Sequence, residues 1–372
     1  MKTSQSASGL LQNISLVKAS NLLKSHKISA YELVNHCYNL AKIGEEDLKL
    51  NAYVHLESHE DLLEQAQASD ERIRSGKPLS PLDGIPVSIK ANIAYKGRPL
   101  HACSQILGGE QELVSAYDSD VTEKLVRKSG AILIGQTNMD EFGMGSFGFH
   151  SSYGPTRNPL YLKDKDSFVS CGGSSSGAAA TVSHGSCLAA IGTDTGGSVR
   201  LPATWCNVMG LKPTYGLISR HGIISYANSL DTVGIISRTA ACIAAVLKCI
   251  AGRSERDATS IESLSMRTGG NFFKDTQSTK PLSGLRIGLP SAFSILECPT
   301  FIRDSWQKTA NQFQSMGAEI IIINEDIISP ETVKNSLSAY CVLAFAEASS
   351  NLMRYDGFRY GNRAIVKENR GT

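Results

Sequence analysis

From Gly177 to Ile191 the chain reads GAAATVSHGSCLAAI, almost entirely small residues. Such a run suits a buried helix packed tightly against a sheet, because larger side chains would hold the layers apart. Sheet-forming segments precede it. In PLDGIPVSIK (Pro81–Lys90) the chain turns through Gly84 and Pro86 into a short apolar strand, and AILIG (Ala131–Gly135) is a second buried strand. A helix that includes VTEKLVRKSG precedes the second strand. Helical periodicity dominates up to about Arg74. Further on, GLRIGLP (Gly284–Pro290), the segment around Trp306 and AEIIII (Ala318–Ile323) read as strand, helix, strand. Strands alternating with helices predict an α/β layer fold. The polar stretch from Gly252 to Pro281 reads as a surface excursion, with neither a repeat nor a clear domain linker.

Several function classes are disfavoured by composition. A net charge of +2 over 372 residues offers no broad basic field for nucleic acid. No apolar run reaches the roughly 18 residues of a membrane span, so no membrane association is expected. Nine scattered cysteines, without C-x-x-C or H-E-x-x-H, read as reduced thiols in an intracellular compartment and argue against a metal site. The first acidic residue is Glu32, so residues 1–9 have the look of a short targeting or disordered start. Against that, Leu10, Leu11, Ile14 and Val17 fall at helical spacing, and Ser29 with Glu32 makes a capping box. One domain is expected over 10–372.

Two Gly-Ser turns carry the chemistry: CGGSSSG (Cys171–Gly177) and TDTGGSVR (Thr193–Arg200). A flexible linker is out of place directly before a packed helix. A phosphate loop would need lysine and a hydroxyl residue where Ala178 and Ala179 stand. A nucleophile elbow over Gly173–Gly177 would make Ser175 the nucleophile, but the polar KDKDSFVSC before it is no buried strand. It would also need a histidine base, and His184 and His221 lie in no recognisable context.

The remaining reading joins both turns to Lys90. Ser198 would be the nucleophile, activated by a lysine held neutral in place of a histidine. Neutrality near pH 7–8 needs a shift of about 2–3 units, roughly 3–4 kcal/mol. Burial at the end of an apolar strand supplies such a shift, although a strand-end lysine more commonly reaches solvent. Ser174 would sit between the two and relay the proton. Backbone N–H groups across Thr195, Gly196, Gly197 and Ser198 would form an oxyanion hole.

At these residues the sequence resembles the amidase signature family, whose catalytic unit is a Lys–cis-Ser–Ser triad. The resemblance implies Lys90 as base, Ser174 as the bridging serine after a cis Gly173–Ser174 bond, and Ser198 as nucleophile. The family's 24-residue serine spacing is present. GQTNMDEFGMGS (Gly135–Ser146), GPTRNP (Gly154–Pro159), GLKPTYGLISRHG (Gly210–Gly222) and SLDTVG (Ser229–Gly234) follow in family order. The fold implied is a mixed central β-sheet covered by helices on both faces.

AEASSNLMRYDGFRYG (Ala346–Gly361) is similar to the glutaminase branch that serves tRNA-dependent amidotransferases. That branch implies release of ammonia from glutamine for converting Glu-tRNA(Gln) to Gln-tRNA(Gln). It further implies two partners and no cofactor in this chain. One partner, the B subunit, contacts the tRNA and uses ATP and Mg; the other is a small C subunit. Tyr340 and Gly145 are implied as substrate-binding, with Cys341 where a second tyrosine is common. Ser176 replaces a usual glycine, and Ala91 replaces an aspartate beside the base. The SRHG wording and polar insertions resemble mitochondrial versions, with cytoplasm or plastid as alternatives. The chain stops at KENRGT where the family continues for about a quarter of its length, through residues that grip substrate. The expectation is therefore a C-terminally truncated glutaminase. The alternatives are a non-catalytic scaffold within the same complex and a hydrolase of small amides.

Overall fold

A computed structural model describes residues 11, 13–109, 113–162, 168–262, 280–295 and 297–362. The chain forms two compact units, Met1–Ser263 with Glu347–Thr372, and Leu264–Ala346. The polar stretch after Gly252 leads into the second unit, and its residues 263–279 lie outside the described ones, as do 1–10 with the targeting reading.

The first unit begins with α1 (Leu16–Lys24) and α2 (Ala30–Glu46), each started by a serine side chain that accepts a first-turn N–H. At Ser29 and Glu32 both bonds of the expected capping box are present. The four-residue β1 (Tyr53–Leu56) interrupts the region read as helical, and α3 (His59–Arg74) resumes it. A strand that short gives periodicity too few residues to register. Then come β2 (Pro86–Lys90) and β3 (Ile132–Thr137), the latter after a π-helical segment, Glu123–Lys128.

The run read as one buried helix is instead two elements, α4 (Ser176–His184) and β4 (Ala189–Asp194). Gly185 divides them: its φ of 95° lies in the left-handed region, and its N–H closes the helix on the Thr181 carbonyl. The apolar residues beyond are too few for another helix but enough for a strand. There follow α5 (Arg200–Trp205), β5 (Met209–Leu211), β6 (Thr232–Ser237) and α6 (Ala240–Ile250).

The six strands form one mixed sheet in the order β1-β3-β2-β4-β6-β5. Strand β2 runs parallel to both β3 and β4, whereas β6 is antiparallel to β4. Alternating side chains feed two cores. Ala189, Ile191, Val233 and Ile235 join residues of α1, α2, α3 and α6 in one core. Ala190 and Ile236 join the Ala178–Ala180 face of α4 in the other. Helices therefore cover both faces, as expected. Because β2 and β4 are parallel and Asp194 pairs with Thr232, one sheet edge gathers Lys90, Thr193, Asp194 and Asp231.

The second unit contains β7 (Arg286–Pro290), α7 (Thr300–Ser315) and β8 (Glu319–Ile323). The two strands pair in parallel, giving the expected strand–helix–strand. The helix α8 (Pro330–Leu352) follows, its last six residues belonging to the first unit. Among the described residues no helix is long and apolar enough to cross a membrane.

Candidate active site

Lys90 ends a strand buried along its whole length, and its side chain does not reach solvent. Its Nζ donates to Ser174 Oγ at 2.7 Å, to Thr193 Oγ1 at 3.0 Å and to the Thr193 carbonyl at 3.4 Å. Asn92 Nδ2 donates to the same Thr193 hydroxyl at 3.1 Å. Burial pulls the amine down to about 8, against the opposing pull of Asp140, Asp194 and Asp231. With Ala91 where a carboxylate is usual, these three supply the negative field at the lysine. A sizeable neutral fraction therefore exists near neutral pH, and only a neutral amine can take a proton.

Ser174 follows a cis peptide bond from Gly173 and is fully buried. The Gly173 N–H donates to the Ser146 carbonyl at 2.8 Å, and the Ser174 carbonyl accepts from Asp140 N–H at 3.1 Å. Asp140 in turn accepts the N–H groups of Gly148 and His150. A Cβ on Gly173 would lie 2.0 Å from Asp140 Oδ2, so only glycine fits against that wall. Gly145, expected at the substrate, lies beside the same Asp140 side chain. Ser175, the nucleophile of the elbow reading, is buried, and its hydroxyl donates to the Thr193 carbonyl at 3.3 Å rather than to a histidine.

Ser198 is half-buried on the turn between β4 and α5. Its carbonyl accepts from Ser175 N–H at 3.1 Å, which ties the two Gly-Ser turns together. Lys90 and Ser174 are in direct contact, whereas no hydrogen bond joins the Ser174 and Ser198 hydroxyls among the described residues. Asp194 organises this turn. Its buried carboxylate accepts from the N–H groups of Gly197 (2.8 Å), Val199 (3.1 Å) and Arg200 (3.3 Å) and from the Arg200 guanidinium. Burial pushes this carboxyl up, but the Arg200 and backbone donors outweigh it and leave it below its usual range.

One expected donor is thereby corrected. The Gly197 N–H is committed to Asp194 and is not free for an oxyanion. Among the described residues no acceptor takes the N–H groups of Thr195, Gly196 or Ser198. The Thr195 hydroxyl donates to Asp231 at 2.7 Å. Tyr340 lies on α8 in the second unit, half-buried.

Sequence reasoning passed over Thr193, Asp194, Asn92 and Asp140. Thr193 and Asp194 stand inside the quoted TDTGGSVR, and Asp140 inside GQTNMDEFGMGS. The available signal was a buried-strand acid next to a glycine turn, whose carboxylate must find donors. Among the described residues no group of three or more His, Cys, Asp or Glu is placed to hold a metal ion. The arrangement suits nucleophilic acyl transfer: a desolvated amine, a hydroxyl in contact with it, and a second hydroxyl on a turn with unclaimed N–H donors.

The family model described as Amidase matches residues 32–370. The chain belongs to the amidase signature family. It is 42% identical to the A subunit of glutamyl-tRNA(Gln) amidotransferase from Prochlorococcus marinus (strain MIT 9211), over 93% of this chain and 67% of that protein. It is 39% identical to the mitochondrial A subunit of glutamyl-tRNA(Gln) amidotransferase from Xenopus laevis, over 95% of this chain and 67% of that one. Among solved structures, the Thermotoga maritima A subunit of glutamyl-tRNA(Gln) amidotransferase superposes with a TM-score of 0.71 at 30% identity, covering 92% of this chain and 67% of that one. The peptide amidase of Stenotrophomonas maltophilia gives a TM-score of 0.76 at 28% identity, covering 93% and 68%. This chain thus spans about two thirds of the length of the amidase-family relatives it matches.

Proposed function

We propose that this amidase is the ammonia-generating subunit of a tRNA-dependent amidotransferase and that it hydrolyses the side-chain amide of glutamine. Neutral Lys90 accepts a proton from Ser174 as Ser174 accepts one from Ser198, and the Ser198 oxygen adds to the amide carbon. The N–H groups of Thr195, Gly196 and Ser198 stabilise the oxyanion. The proton returns along the same path to the leaving nitrogen, ammonia departs, and water hydrolyses the acyl-serine. A partner subunit, using ATP and Mg, amidates glutamate on tRNA(Gln) with that ammonia, and a small third subunit completes the complex.

The observation that carries the chemistry is the fully buried Lys90 amine 2.7 Å from Ser174 Oγ. Sequence identity of 39–42% to amidotransferase A subunits supports the substrate and the partners. Ser198→Ala, assembled with the partner subunits, tests the reading: glutamine-dependent amidation is lost and ammonia-dependent amidation survives. Loss of both overturns it. A second reading, hydrolysis of small free amides, is favoured by the higher TM-score to peptide amidase. A panel of C-terminally amidated peptides and free glutamine, assayed without partner subunits, separates the two.

A further inference from the structure

At the C-terminal end of α4 lies a cleft of about 430 Å³. Its walls come from the segment containing Leu11 and Ile14, from His36 and Leu40 on α2, and from His184, Leu188 and Arg238. Arg238 follows β6 and uses part of its guanidinium to hold neighbouring backbone. It donates to the Val182 carbonyl at 3.3 Å, the Ser183 carbonyl at 3.3 Å and Asn13 Oδ1 at 3.0 Å. A guanidinium has five N–H donors, so some remain for a ligand.

No carboxylate pairs with Arg238 among the described residues. The sequence has no acidic residue before Glu32, so the first ten residues bring none either. Half-burying a cation without a counterion is costly, and an anion relieves that cost. Burial lowers both His36 and His184, so near neutral pH the imidazoles enter as hydrogen-bonding groups rather than as charges. The remaining lining is Leu11, Ile14, Leu40 and Leu188, with Asn13, Cys37 and Gly185.

We propose that this cleft binds a small organic carboxylate with a short apolar body, its oxygens on Arg238 and the imidazoles, its chain against Leu40 and Leu188. A planar guanidinium fits a carboxylate in two parallel bonds, and the leucines exclude a fully hydrated inorganic anion. The site is separate from the proposed glutaminase chemistry and stands or falls without it.

Hexanoate, hexan-1-ol, hexylammonium and inorganic phosphate are titrated separately into the full chain, following the ring-proton NMR signals of His36 and His184. Hexanoate is expected to shift both sets of signals saturably, and the other three to leave them unmoved. Arg238→Gln is expected to weaken hexanoate at least about tenfold, the loss of a charge-assisted pair. Should that variant fail to fold, Leu40→Phe, which narrows the cleft and keeps Arg238, is expected to weaken it likewise. No saturable shift, an equal response to hexan-1-ol or phosphate, or undiminished binding in the folded variants overturns the proposal.

Discussion

Lys90 Nζ lies 2.7 Å from Ser174 Oγ, and neither side chain reaches solvent. A contact of that length inside a dry sheet edge makes the protonation state of one amine the control on everything downstream.

The first consequence is a pH profile. The amine must be neutral to accept a proton, and burial sets it to about 8. Glutaminase kcat/KM should therefore rise with pH through an apparent value near 8 and then level off. Stopped assays from pH 6 to 10 measure it. A profile flat from pH 6 to 9 would remove Lys90 as the base.

A second consequence concerns stability. The folded-state value, about 8, lies below the usual lysine value of about 10.4. Below pH 8 the amine is charged in both folded and unfolded chains, and the folded chain bears the cost of burying it. That cost fades as pH rises from 8 to about 10.4. Lys90→Met should be inactive yet more stable than the parent at pH 7, by roughly 1–3 kcal/mol. The difference should shrink by pH 10. Urea unfolding at the two pH values reads it out.

Asp194→Asn exchanges a charged acceptor of three N–H groups for a neutral amide that must also place two donors. The Arg200 side chain is half exposed, so its ion pair counts for less than the backbone bonds. The expected loss is roughly 2–3 kcal/mol of stability and about a hundredfold in kcat. Thermal melts and steady-state kinetics check both, and an Asn variant with full activity would show that the turn holds itself.

Gly173→Ala puts a methyl group 2.0 Å from Asp140 Oδ2 and 2.8 Å from the Gly148 nitrogen. The wall is a hydrogen-bonded loop that cannot give way cheaply. Loss of activity with a destabilisation of about 3 kcal/mol is expected. Circular dichroism melts alongside the assay separate local from global failure.

Sequence legibility followed the physics of each element. Lys90 and the two serine turns drew attention through their joint occurrence and the family resemblance, since each alone suits a solvent-reaching lysine or a plain turn. The capping box at Ser29 and Glu32 was readable because both partners are local. The division of Gly177–Ile191 was not, since a short apolar run suits helix and strand equally until Gly185 turns left-handed. The four residues of β1 left too brief a trace. Gly197 looked like an oxyanion donor because its neighbour's carboxylate has no direction in a sequence; only folding aims Asp194 at it. In the second unit the strand–helix–strand was legible from two apolar runs around an amphipathic segment.

Strand β2 lies between β3 and β4, with Lys90 matched to Thr137 on one side and Ile89 to Ile191 on the other. Shifting that strand by a single residue would swing the amine through to the opposite helical layer. Insertions or deletions within Pro86–Lys90 should thus abolish reactivity even where the chain still folds, which places hereditary tolerance for length changes in the loops and denies it to this short ribbon.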